Sequence, residues 1–156
     1  MGPLLIRAGS LDDAPAVSAV AYRAKAGWGY PVEWLDAWHD VLTVAPDYLA
    51  VHHSWIATRG SDVVGSCVLE VDGARASLNH VWVIPEAQRQ GVGRALVEAA
   101  LASARVEGVL AVDVESDPHA EPFYLRLGAR RCGQIPAPMP GAPDRVLPLL
   151  RFHLSP

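Results

Sequence analysis

The sequence predicts one α/β (α+β) domain over residues 1–156, and three observations carry that reading. Strand-like and helix-like patterns alternate along the chain, with no internal repeat and no linker to divide them. The length of 156 residues suits one compact unit. A composition of 51% apolar and 19% charged residues can fill a core rather than remain disordered.

Leu4 to Arg7 reads as a first strand. Ser10-Leu11-Asp12-Asp13 then offers a helix N-cap with acids in the first turn, where they complement the helix dipole. The helix extends to about Lys25, with Ala16, Val17, Val20 and Ala21 on one buried face. Gly27-Trp28-Gly29-Tyr30-Pro31 interrupts it, and a second helix is expected from Val32 to Val41. Trp55–Thr58 and Val63–Val71 form the next strands around the turn Arg59-Gly60-Ser61-Asp62, and Ser77–Ile84 another, ended by Pro85. A helix from Gly91 to Glu107 places Val92, Leu96, Ala99 and Val106 on one face and Arg94, Glu98 and Arg105 in solvent. Gly108 stops it. Val109–Glu115 alternates little and reads as a buried strand, followed by a short helix from Pro118 to Leu127 with Gly128 at its end. A strand from Ala129, a Pro-rich loop from Ile135 to Pro143 and a last strand from Val146 to His153 complete the order.

Composition narrows the function. A net charge of −4 without a basic stripe speaks against nucleic acid as the main partner. No run of apolar residues is long enough to span a membrane, and Met1 to Asp13 lacks the pattern of a signal peptide. Cys67 and Cys132 fit no disulfide framework, so a reducing cytoplasm is expected, with both thiols acting as small buried apolar groups. The histidines show no metal-ligand spacing, and no metal is expected.

The informative segment is Gln88-Arg89-Gln90-Gly91-Val92-Gly93, between a strand and a helix. Glycines there let backbone N–H groups approach a ligand, and the unpaired first amides of the helix favour an anion such as a pyrophosphate. Arg89 and Arg94 add charge at its edges. A helix that merely begins on glycine for close packing is the other reading. A P-loop and a dinucleotide fingerprint are minor alternatives, because Lys25 is the only lysine and GVGRAL lacks the third glycine.

Those six residues resemble the phosphate-loop pattern [Q/R]xxGx[G/A] of the GNAT superfamily of acetyl-CoA-dependent N-acetyltransferases. The flanking HVWVIPEAQRQGVGRALVEAA is similar to the family's strand, V-x-P turn and helix, and SDPHAEPFYLRLGARRCG (Ser116 to Gly133) to its FYxRxGA segment. The resemblance implies a mixed, mostly antiparallel sheet of six to seven strands flanked by about four helices. Its parallel strands, Ser77–Ile84 and Val109–Glu115, would splay apart. Pantetheine of acetyl-CoA would pair with backbone at Val81, Trp82 and Val83, with pyrophosphate on the amides of the turn from Gln88 to Arg94. Tyr124 corresponds to the family's general acid beside the sulfur, and His119 stands where many members carry a cofactor-contacting asparagine.

The family often places a glutamate or histidine base on the strand before the turn, but the glutamate-like position here is Ser77. His80 is the preferred base, Glu115 an alternative, and Asn79 a group that orients an amine or a water. Trp28 and Tyr30 are candidate acceptor contacts on a glycine-flanked loop. Trp34 and Trp38 suit a buried helix face, and Glu33, Asp36 and Asp40 a solvated one. The expected reaction is direct acetyl transfer to a primary amine; the alternative is a CoA-binding sensor without turnover. The tail would permit a homodimer.

Overall fold

The computed structural model describes residues 2–155. Strand β1 (Leu4–Ala8) leads into a short 3-10 turn (Leu11–Asp13) and helix α1 (Ala14–Ala26). Asp13 fastens this junction. Its carboxylate accepts from the Ser10 N–H at 2.8 Å and from both Arg7 terminal nitrogens at 3.0 and 2.7 Å. Val17, Val20, Ala21 and Ala24 of α1 are buried, close to the expected face.

The expected helix from Val32 to Val41 is two helices, α2 (Val32–Ala37) and α3 (His39–Leu42), separated at Trp38, whose ψ of 0° leaves the helical range. Helix α4 (Pro46–Val51) was not expected. It starts on a proline and buries only Leu49, too little periodicity for a sequence pattern to carry. The described residues therefore hold six α-helical segments where about four were expected.

Strands β2 (His53–Arg59), β3 (Asp62–Asp72) and β4 (Arg75–Val83) form a meander, and helix α5 (Val92–Val106) follows the Gly-rich turn. Strand β5 (Ala111–Glu115), helix α6 (Glu121–Arg126), β6 (Arg130–Pro136) and β7 (Val146–His153) complete a seven-stranded sheet of order β1-β2-β3-β4-β5-β7-β6. Every neighbouring pair is antiparallel except β4 with β5. A parallel pair needs a crossover, and α5 supplies it.

One core lies between the sheet and α5, where Val92, Leu96, Val97 and Ala100 meet Leu69, Leu78 and Val112. On the opposite face Ala14 and Val17 of α1 and Leu49 of α4 cover Ile56 and Val68. Three expectations are corrected. Val106, placed on the buried face of α5, is 88% exposed, because the core stripe runs through Val97, Leu101 and Ala104 instead. Strand β5 alternates: Val112 and Val114 are buried, while Asp113 turns outward to Arg75 at 2.7 Å and Arg151 at 2.6 Å. Cys67 is buried, but Cys132 is exposed because it lies on the sheet-edge strand β6.

Candidate active site

Strands β4 and β5 pair from Arg75–Ala111 to Leu78–Val114 and then part, although β4 continues to Val83. Among the described residues, no strand pairs with the β5-facing edge of β4 from Asn79 to Val83. A register shift against β3 marks the same stretch: His80 and Val81 together oppose Cys67. His80 has φ 48°, a left-handed backbone rare outside glycine, and Ser66 Oγ holds its carbonyl at 2.8 Å. The bulge turns the strand where the gap opens.

Beyond Val83 a 3-10 turn (Pro85–Ala87) leads to the Gly-rich segment. Gln88 donates from Nε2 to the Val83 carbonyl at 3.2 Å, and Gln90 to the Glu86 carbonyl at 3.2 Å, so both glutamine side chains brace the turn. Arg89 at φ 62° and Gly91 at φ 81° form its left-handed corners. Gly93 has a different reason: a Cβ there would stand 3.1 Å from Phe123 Cζ. The close approach seats α6 against the start of α5, whose first amides have no partner within the helix. Arg94 is bound to Glu98 at 2.7 Å along the helix, whereas Arg89 is exposed.

Tyr124 is buried on α6, edge-on to Phe123 and near Phe152. Burial, with Cys67 and Asp117 nearby, drives its phenol well above the ordinary range, so it remains protonated. His80 is shifted the other way. Burial lowers its pKa, and Glu70 opposes that only in part. Trp82 Nε1 donates to His80 Nδ1 over 3.4 Å, which favours the neutral ring with Nδ1 unprotonated. Asn79 donates to Glu70 Oε2 and to Ser77 Oγ (3.2 Å), and Tyr48 Oη donates to the same Glu70 oxygen at 2.8 Å.

A second cluster lies where β5 ends. Asp117 accepts from Lys25 Nζ at 2.5 Å, from Tyr30 Oη at 3.0 Å and from the His119 N–H at 2.8 Å. The ion pair is buried, with 10% and 6% of the two side chains exposed. Burial works to raise the Asp117 carboxyl, but Lys25 and His119 outweigh it and hold it below the usual range. The His119 ring lies 2.9 Å from Asp117 and stacks on Trp28 at 4.9 Å. Tyr30, Trp34 and Trp38 surround two cations: Lys25 stands 4.3 Å from the Trp38 ring and Arg145 5.2 Å from it. Trp34 Nε1 donates to the Pro140 carbonyl at 3.0 Å, tying α2 to the loop before β7. Trp34 and Trp38 are thus half-buried members of an aromatic box rather than a simple core face, while Glu33, Asp36 and Asp40 are solvated as expected.

Residues 50–128 match the family model described as an acetyltransferase (GNAT) domain, half of the chain. The chain belongs to the GNAT acetyltransferase family. Solved structures agree at the level of fold. A GCN5-related N-acetyltransferase from Rhodopseudomonas palustris superposes with TM-score 0.79 at 19% identity, over 99% of this chain and 98% of that one. The PaiA N-acetyltransferase of Thermoplasma acidophilum, in complex with coenzyme A, gives 0.77 at 16% identity, over 97% and 99%. The ribosomal-protein-S18-alanine N-acetyltransferase of Escherichia coli gives 0.75 at 20% identity, over 98% and 95%.

This GNAT chain brings most of the expected residues together. Val81–Val83 form the unpaired edge, Gln88–Arg94 the turn after it, while His119 follows the end of β5 and Tyr124 lies on α6. Trp28 and Tyr30 meet His119, whereas Asn79 and His80 lie with Glu70 on the face of β4 toward α4. Glu115 is exposed at the end of β5. Glu70, Tyr48, Lys25, Asp117 and Arg145 were not anticipated. Only Asp117 carried a signal, its place directly after a strand; the others are joined by the fold alone. Among the described residues, no set of His, Cys, Asp or Glu is arranged to hold a metal ion, and no helix is long and apolar enough to cross a membrane. A surface cavity of about 540 Å³ beside Ala8–Asp12 and Leu49–Trp55 is lined by none of the expected site residues.

Proposed function

We propose that this protein is an acetyl-CoA-dependent N-acetyltransferase, one domain over residues 1–156, acting on a primary amine of a small molecule, peptide or protein. The observation that carries the proposal is the gap between β4 and β5, which opens ahead of the left-handed turn at Gly91, where α6, the helix bearing Tyr124, packs on the start of α5. The residues suit such a ligand. The free edge at Val81, Trp82 and Val83 offers backbone pairing to an amide-containing arm. The first amides of α5 suit a pyrophosphate, with Gln88 and Gln90 bracing the loop and Arg89 at its rim. Gly91 and Val92 bring those amides to the ligand, Gly93 leaves room for Phe123, and Arg94 faces solvent with Glu98. His119, oriented by Asp117, is the remaining contact.

Bound acetyl-CoA supplies a thioester, an acyl group with a good leaving group. Tyr124, kept protonated by burial, is the general acid that gives a proton to the departing thiolate. His80, kept neutral by burial, takes the proton that leaves the amine nitrogen, at Nδ1, where the long Trp82 contact is easily displaced. Asn79 orients the acceptor from the same strand, and Trp28 and Tyr30 bound it on the other side. Both thiols are free, in keeping with a reducing, cytoplasmic setting.

Release of free CoA thiol, followed with acetyl-CoA across a panel of amines, tests the proposal. Turnover is expected, and Tyr124→Phe should lower kcat by about 100-fold with acetyl-CoA affinity retained. Binding of acetyl-CoA without turnover of any amine would instead make the chain a CoA sensor. Unimpaired binding in Gly91→Glu would remove the site altogether.

A further inference from the structure

Glu70 is an anchored carboxylate that the proton transfers above do not use. It lies on β3 directly opposite Ser77 of β4, one strand away from the point where β4 and β5 part. One oxygen, Oε2, is held by Tyr48 Oη and Asn79 Nδ2. The other, Oε1, has only His52 Nε2 at 3.6 Å, beyond ordinary hydrogen-bond length, and 37% of the side chain is exposed. The carboxylate is therefore fixed in direction, with one oxygen left to accept from outside.

Its surroundings suit a cation of ammonium size. The Tyr48 ring packs 4.7 Å from His52 and 5.7 Å from His80, so three rings border the carboxylate. Among the described residues, no lysine or arginine bonds to Glu70, whose partners are the Tyr48 hydroxyl, the Asn79 amide and the more distant His52 ring. The neighbouring aromatic box beside Trp82 differs, since there the chain supplies its own cations, Lys25 and Arg145. Glu70 Oε1, by contrast, has only the distant His52 ring beside it and is open to a cation from outside.

We propose that the acceptor is an alkylamine that arrives as an ammonium ion, and that Glu70 Oε1, with the Tyr48 ring beside it, is its recognition site. The proposal rests on the N-acetyltransferase reading and adds the charge state of the substrate to it. An ammonium held there donates to Oε1 through one N–H and turns another toward His80. In that step one proton passes from the ammonium nitrogen to His80 Nδ1 and on to water, leaving the nitrogen lone pair free; no other bond changes. Glu70 also stabilises the imidazolium formed for that moment. Tyr48 is a positioning residue, since it acts through Glu70, and Asn79 adds the second donor to Oε2.

Titration of n-butylammonium into the CoA-loaded protein, read on the imidazole NMR signals, tests the recognition apart from turnover. Saturable shifts of His52 and His80 are expected. In Glu70→Gln the affinity should fall roughly tenfold, the loss of one charge-assisted hydrogen bond, while acetyl-CoA binding is kept. In turnover assays Glu70→Gln should raise KM for butylamine by a similar factor and leave KM for aniline, neutral at pH 7.5, within about twofold. Tyr48→Phe, which removes one of the two donors to Oε2 without removing the charge, should show a smaller loss of the same sign. Absence of saturable shifts in the wild-type protein, or equal effects on butylamine and aniline, overturns the inference. Absence of turnover with any amine, with butylammonium still bound through Glu70, overturns the enzyme reading and leaves the cation site standing.

Discussion

Single residues at this site are held in states that the open chain does not favour. His80 and Arg89 occupy left-handed backbone, and Gly91 does so at φ 81° with open space around its Cα. Gly91→Ala meets no clash but must adopt that conformation, at about 1–2 kcal/mol, which urea unfolding would read directly. Gly93→Ala is a different experiment. Its φ is helical and favourable for alanine, but the added methyl meets Phe123 Cζ at 3.1 Å and displaces α6. We expect Gly93→Ala to change stability little and to lower kcat through Tyr124, a split measurable by comparing melting temperature with turnover. The expectation of two buried thiols failed at Cys132 because exposure depends on where a strand lies in the sheet, and β6 lies at the edge.

Elements are joined across the site by the Lys25–Asp117 pair, which ties α1 to the segment between β5 and α6. Removing one partner of a buried pair leaves an uncompensated charge. Asp117→Ala should cost about 3–5 kcal/mol in unfolding free energy, and Lys25→Met combined with Asp117→Asn much less than the sum of the single changes. A double-mutant cycle in urea measures both, and additive losses would mean the pair is uncoupled. At this scale the long helices and the core strands were legible, because apolar positions recur at helical spacing along α1 and α5, and β3 is an apolar run between two turns. The failures were the short pieces. Helix α4 has one buried residue, and the break at Trp38 follows from tertiary packing of Tyr30, Trp34 and Trp38 around Lys25 and Arg145.

Over the whole molecule, acid should weaken the fold in two stages. Burial lowers the His80 pKa below its ordinary 6.5, so protonation favours the unfolded chain; the stability this gives is complete above 6.5 and declines as pH falls through that value. The carboxyls of Asp13, Asp113 and Asp117 are also lowered in the folded state. Their contribution is complete above the ordinary 3.8 and is lost as pH falls below it. Melting temperature followed between pH 7 and 3 should therefore decline from about 6.5 downward, and His80→Gln should flatten the part above 3.8 while leaving the lower stage.

The turn from Gln88 to Gly93 was legible as a glycine-cornered lead into a helix because its requirements are local: glycine where φ is positive or where another helix comes close, followed at once by a helix N-terminus. The segment from Ser116 to Gly133 was legible for the same reason, as a run of neighbours that a motif can hold. What only the tertiary structure decided is which distant side chains meet. Glu70 and Tyr48 come to Asn79 and His80 through the β3–β4 register and the seating of α4, and Lys25 comes to Asp117 through the packing of α1 on the sheet. Spacing along a chain reports periods and loops, whereas a cluster drawn from three elements is set by register and packing, and no local pattern records it.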